Sequence, residues 1–227
     1  MKYLSEIILL ISFTLLVSCN EEDPIIEDNG AESGSIKYSV EFIATWSQET
    51  HPTEFPSGAH FSGLIGTTHK EGVSLFQVGE FASAGIKSMA ETGSKSQLKT
   101  EIESLISSED AGFMIDGPGI GSSPGNATTE FEIDESRSWV TITSMVAPSP
   151  DWFVAVSNLN LYEDNEWVQE IELEVGIYDS GTDSGPTYTS PNQISKPLQP
   201  VSEITDGPLA SFGIVPPLGT MKFTRIE

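Results

Sequence analysis

Cysteine is all but missing: Cys19 is the only one in 227 residues. That excludes an intramolecular disulfide and any thiolate metal cluster. Cations are scarce as well, with ten Lys and Arg against 34 Asp and Glu and a formal net charge of −24. A surface of this sign repels phosphate backbones, so no nucleic-acid partner is expected; divalent cations become natural ones instead. The apolar run Ile7–Val17 (IILLISFTLLV) is interrupted by Ser12 and Thr14. It falls short of the roughly 20 residues that a spanning helix needs. Catalytic signatures are also missing. There is no G-x-S-x-G elbow, and the Gly/Pro-rich stretch DGPGIGSSPGN at 116–126 lacks the Lys of a phosphate-binding loop.

What is present begins with that apolar run. Lys2, the short hydrophobic segment and the small residue Ser18 before Cys19 have the layout of an export signal. The ending Leu16-Val17-Ser18-Cys19 resembles the lipobox of bacterial lipoproteins. It implies cleavage before Cys19, a signal peptide over 1–18, lipidation of the Cys19 thiol and a membrane anchor there. An ordinary signal peptide with an incidental Cys19 is the alternative. Loss of residues 1–18 removes one Lys and one Glu, so the net charge is unaltered. Residues 19–34 are acidic and rich in Gly and Ser, a composition that buries too little apolar surface to offset ordering entropy. They read as a flexible tether. Acidic residues just after Cys19 also resemble a surface-export signal of outer-membrane lipoproteins, with a plain linker as the alternative. The expected location is therefore the bacterial outer membrane, reached through lipid.

The folded region is expected over 35–227. In SIKYSVEFIATW the residues Ile36, Tyr38, Val40, Phe42, Ala44 and Trp46 alternate with mostly polar neighbours, the mark of a strand with one buried face. Further strands are predicted at 60–67, 73–78, 130–133, 138–146, 153–161, 167–178 and 221–226. Glu170, Glu172 and Glu174 alternate with Ile171, Leu173 and Val175 and read as the solvated face of a strand. Helices are predicted at 80–91, stopped by Gly93, and from Ser96 onward, with Leu98, Ile102, Leu105 and Ile106 on one face. Residues 185–219 carry many prolines and are expected to wrap the domain in extended form. The class is mainly β: a single antiparallel sandwich with a short helical insertion.

Four segments carry a family resemblance: YSVEFIATWSQETHPTEFPSGAHFSGLIGTTH, GEFASAGIKSMAETGS, SMVAPSPDWFVAVSNLNLYEDNEWV and YDSGTDSGPTYTSPN. Together they resemble the spondin domain, the amino-terminal module of F-spondin and mindin, in the same order from about Ser35 to near residue 200. The resemblance implies a C2-like β-sandwich, a bound Ca²⁺, and adhesion or recognition rather than catalysis. Animal members carry a Cys soon after the SPDW segment, where this chain has Leu161-Tyr162, and they add thrombospondin-type repeats. Their partners therefore do not transfer; a surface glycan or protein is the open expectation.

The aspartates give the resemblance physical content. If strands 138–146, 153–161 and 167–178 form a meander, Asp151 in the first turn and Asp179 and Asp183 after the third strand share one rim. Carboxylates gathered without a basic partner raise at least one pKa or require a cation. Ca²⁺ accepts six to eight hard oxygen ligands in flexible geometry, whereas Mg²⁺ demands a stricter octahedron and Zn²⁺ favours N and S donors. The family's calcium ligands map onto Asp151, Asp179 and Asp183. Turn formation by Asp is the plain alternative. His51, His60 and His69 recur every nine residues, which has no helical meaning and gives zinc little support. The expected function is a calcium-binding, lipid-anchored recognition module. The alternatives are a surface hydrolase acting on polysaccharide through two carboxylates, or a purely structural envelope protein.

Overall fold

Tyr38, Val40, Phe42 and Ala44 point inward from β1 (Ile36–Ala44), and the polar residues between them face out. That alternation seats β1 in the middle of a four-stranded antiparallel sheet. The computed structural model describes residues 34–227; the signal peptide, Cys19 and all but the last residue of the tether lie outside the described residues. The other strands are β2 (His60–Phe61), β3 (Ile65–His69), β4 (Ala111–Asp116), β5 (Gly125–Ile133), β6 (Trp139–Ala147) and β7 (Trp152–Asn160). They are followed by β8 (Tyr162–Glu163), β9 (Glu166–Trp167), β10 (Glu170–Glu174), β11 (Gly176–Asp179), β12 (Ser202–Glu203) and β13 (Gly219–Arg225). One sheet has the order β10-β13-β1-β5; the other runs β12-β11-β7-β6-β3-β4, with β2 added against β6. The β8–β9 hairpin stands apart.

The two sheets enclose one core. Trp46, Tyr38, Phe42, Phe61 and Phe223 are among its largest fully buried side chains. Phe61 meets Phe42 edge-on at 4.8 Å and Trp46 at 5.7 Å, the separations at which ring quadrupoles attract. A second cluster covers the other face of the larger sheet. There α1 (Ala84–Thr92) and α2 (Ser96–Ser107) lay Ile86, Met89, Leu98 and Ile102 over Ile65, Met145 and Phe153.

Local chemistry sets the helix ends. Ser83 caps α1 by accepting from the Ile86 N–H at 3.1 Å, and Gly93 ends it at φ 68°, donating to Met89. That left-handed turn is cheap only for glycine. Gly85 lets the helices approach closely, since a Cβ there would lie 2.7 Å from Leu98 Cα. Glu101 of α2 then accepts from Gly85 N–H and Ser83 O–H, both at 2.7 Å. In α2, Lys95 holds the cap position without a side-chain hydrogen bond, and Ser96 is the first helical residue.

Two predicted strands are corrected and one strand is added. Residues 73–78 form no strand, because the adjacent Leu75 and Phe76 both plunge into the helix-side cluster and break alternation. The stretch 111–116 is a strand that the sequence did not suggest. The expected strand 167–178 is two strands in different sheets: β10 pairs with β13 and β11 with β7, the chain crossing over at the buried Val175.

Candidate metal centre

The register of β11 against β7 pairs Asp179 with Trp152, the residue after Asp151. β11 is antiparallel to β7 and β7 to β6, so the β6–β7 turn and the end of β11 meet at one rim. Asp151 and Asp179 therefore lie together even though the expected third strand is broken in two.

Asp151 is fully buried. Its Oδ2 is heavily coordinated, accepting from Thr182 N–H at 2.7 Å, Asp183 N–H at 2.9 Å, Ser180 O–H at 2.9 Å and Thr182 O–H at 3.2 Å. Its Oδ1 is buried with no hydrogen-bond partner. An ionised carboxylate placed this way costs heavily unless something compensates the bare oxygen. Burial pushes the Asp151 pKa up, and the donors on Oδ2 pull against that rise.

Asp179 accepts from Gly181 N–H through Oδ1 at 2.7 Å. Its pKa is pushed up to about 6, first by burial and then by the charge of Asp151; the Gly181 N–H and the Trp152 side chain oppose the rise, and Asp183 adds a smaller repulsion. Asp183 lies in the same loop but is already engaged. Its Oδ1 accepts from Gly185 N–H at 2.8 Å and its Oδ2 from Gln193 N–H at 3.0 Å. The loop thus behaves in part as Asx turns, the plain role open to these residues. Among the described residues no group of three or more His, Cys, Asp and Glu side chains stands as a ready-made metal cluster. The three predicted aspartates share a rim and feel one another's charge, yet only Asp151 presents an uncommitted buried oxygen.

A cleft of about 330 Å³ opens beside them, lined among others by Trp152, Asp179, Pro186, Glu203, Asp206 and Pro208. Trp152 packs on Tyr188 at 5.5 Å, edge to face, so it serves as a wall of the core. The sequence offered no sign of Ser180 and Thr182 as carboxylate donors, although S-G-T is the kind of stretch whose hydroxyls and N–H groups fold around an anion. The histidines do not gather. His51 and His69 are buried in separate hydrogen-bond networks, and His60 is exposed and bonds Gly58.

Comparisons with known proteins bear on the whole domain. The Spondin_N family model matches residues 36–211. Rat Spondin-2 is 33% identical over 204 residues, covering 84% of this chain and 62% of that protein; human Spondin-2 is 32% identical over the same shares. Chicken Spondin-1 is 34% identical over 187 residues, 79% of this chain and 23% of its own. The chain thus spans less than two thirds of these relatives. They are vertebrate spondins, and this overturns the assignment to a bacterial lipoprotein and to an outer-membrane location; no helix among the described residues is long and apolar enough to cross a membrane. The spondin domain is a non-catalytic family. Both the family match and the identity to Spondin-2 and Spondin-1 carry one conclusion: the chain belongs to the spondin family.

Proposed function

We propose that the domain is a recognition module acting in extracellular adhesion, its rim clamped by Ca²⁺ bound at Asp151 and Asp179. The observation that carries the metal reading is the buried Asp151 Oδ1 without a partner. The neighbouring Asp179, held near pKa 6 by burial and by the Asp151 charge, agrees with it. Hard, anionic oxygens without a basic partner fit calcium by the chemistry of the donor set. Asp151 Oδ1 and the Asp179 carboxylate would hold the ion, with Asp183 at the margin; Ser180 and Thr182 position Asp151 through its other oxygen. When bound, the ion supplies positive charge that lets both carboxylates stay ionised at neutral pH. A C2-like strand order, with cation-holding loops at one end of a sandwich, belongs to the same reading.

The recognition role rests on the family and on the acidic cleft beside the rim, lined by Asp179, Glu203 and Asp206. A raised-pKa carboxyl in a cleft is also what a polysaccharide hydrolase would need. Here burial, followed by the charge of the buried Asp151 carboxylate, accounts for the rise.

Thermal melts with excess chelator and with 10 mM calcium test the metal. Extracellular modules bind calcium at roughly 10⁻⁴–10⁻³ M. Mass action then predicts stabilisation of about 1.4–2.7 kcal/mol, or a midpoint about 3–10 °C higher in calcium. Identical melts would remove the site.

A further inference from the structure

At the other end of the β6–β7 hairpin lies a second cleft, lined by Glu71, Gly72, Ser74, Gln77, Trp139 and Asn158, of about 300 Å³. We propose that it binds a neutral pyranose ring, seated on the Trp139 indole.

Trp139 differs from the other tryptophans of the chain. Trp46, Trp152 and Trp167 pair with other aromatic rings and belong to, or pack on, the sandwich core. Trp139 is half-buried and forms a wall of this cleft instead. An indole face is electron-rich and offers a broad apolar surface beside a polar N–H. A pyranose presents the complement, a sheet of C–H groups edged by hydroxyls. Of the remaining lining residues, Asn158 and Gln77 carry amides, Ser74 a hydroxyl and Glu71 a carboxylate. Each amide both donates and accepts, which suits hydroxyls that do the same. A few convergent polar groups around an aromatic wall are the usual make-up of a small-molecule site, and the volume is at the small end of that range.

The walls are built, not incidental. On one side, Leu75 and Phe76 are buried in the helix-side cluster, with Phe76 edge-on to Phe153 at 5.0 Å and to Tyr178 at 4.9 Å. Their neighbours Ser74 and Gln77 are thereby fixed at the cleft. Upstream, Val73 N–H donates to Lys70 C=O across a turn with Gly72 at φ 77°, as a type II turn requires. On the other side, Asn158 occupies a bulge in β7 with φ 55°, a conformation that Asn tolerates and most residues do not.

A buried chain of hydrogen bonds joins the two walls. Lys70 C=O accepts from His69 Nδ1–H at 2.9 Å, which leaves Nε2 to accept from Thr141 O–H at 2.9 Å. Thr141 Oγ1 in turn accepts from Asn158 N–H at 3.1 Å. Neutral His69 is the only form that satisfies every member, and burial lowers its pKa accordingly. The network spans β3, β6 and β7 and sets the distance between turn and bulge.

Charge narrows the ligand. Glu71 in the cleft and the net charge of −24 disfavour uronic or sialic acids. The cleft is also far from the aspartate rim. Eight steps of strand separate Trp139 from Ala147, roughly 26 Å at about 3.3 Å each.

The test follows the Trp139 indole N–H resonance, assigned through Trp139→Phe, during titration with methyl glucoside, methyl galactoside, methyl mannoside, N-acetylglucosamine and glucuronic acid. At least one neutral sugar is expected to move it saturably with a Kd of roughly 1–10 mM, with glucuronic acid at least about tenfold weaker. Asn158→Gly keeps the left-handed backbone and removes only the amide, and Gln77→Ala alters an exposed side chain. Each is expected to weaken binding by about tenfold with the rest of the spectrum unchanged. The titration is repeated in chelator, where binding should persist. No saturable shift with any neutral sugar, unaltered binding in both variants, equal binding of glucuronic acid, or loss of binding in chelator would each overturn the proposal.

Discussion

Replacing Asp179 by Asn in calcium-free protein should raise its stability at neutral pH. The Asp179 pKa stands at about 6 in the folded chain against 3.8 for the free side chain. A carboxyl whose folded value is the higher one favours the folded state below its unfolded value. That contribution disappears as pH rises from about 4 through 6, and at pH 7 the ionised group is a net burden. Two pH units correspond to at most about 3 kcal/mol. Asp179 keeps part of its solvent access, so screening cuts this to about 1–2 kcal/mol. The amide is isosteric and keeps an oxygen to accept from Gly181 N–H. In chelator at pH 7 the variant should therefore melt about 2–8 °C above the parent, and the two should converge near pH 4, where Asp179 is protonated. Comparing the two proteins cancels the opposite, acid-labile contribution of His51 and His69, whose folded pKa values are depressed. With calcium added, the parent should gain and the variant should gain less. A variant less stable than the parent at pH 7 in chelator would refute the crowding argument.

Other outcomes follow from the same contacts. Thr141→Val leaves Asn158 N–H and His69 Nε2 without a buried partner and should cost about 1–3 kcal/mol by denaturant titration. The parent should lose stability as pH falls below 6.5, because buried neutral His69 and His51 must charge on unfolding; His69→Gln should flatten that slope. Gly66→Ala would put a Cβ 2.1 Å from Thr141 O in the middle of the sheet, so a loss of 3 kcal/mol or more is expected. Ser83→Ala removes the α1 cap and should cost about 1 kcal/mol.

Legibility in the sequence followed the strength of local pattern. β1, β6, β7 and β13 were readable because apolar residues recur at alternate positions along most of their length. β5 was read only from residue 130, since its first half buries little beyond Ala127. β4 was missed because A-G-F-M-I-D buries its first and fifth residues, a spacing that fits one face of a helix as well as one face of a strand. The sheet change at Val175 left no trace, as Ile171, Leu173, Val175 and Ile177 keep one period across two sheets. Asp151 and Asp179 could be paired from turn logic alone. That Asp183 would spend its carboxylate on Gly185 and Gln193 could not, because it depends on a return of the chain ten residues later. The His69–Thr141–Asn158 network was invisible for the same reason: its members lie 72 and 17 residues apart.

Anomalous scattering from crystals grown in ample calcium addresses the metal directly. One peak within coordination distance of Asp151 Oδ1 and the Asp179 carboxylate, about 2.3–2.6 Å from each, is the result expected. A rim without a peak, with Asp151 Oδ1 still bare, would contradict the account.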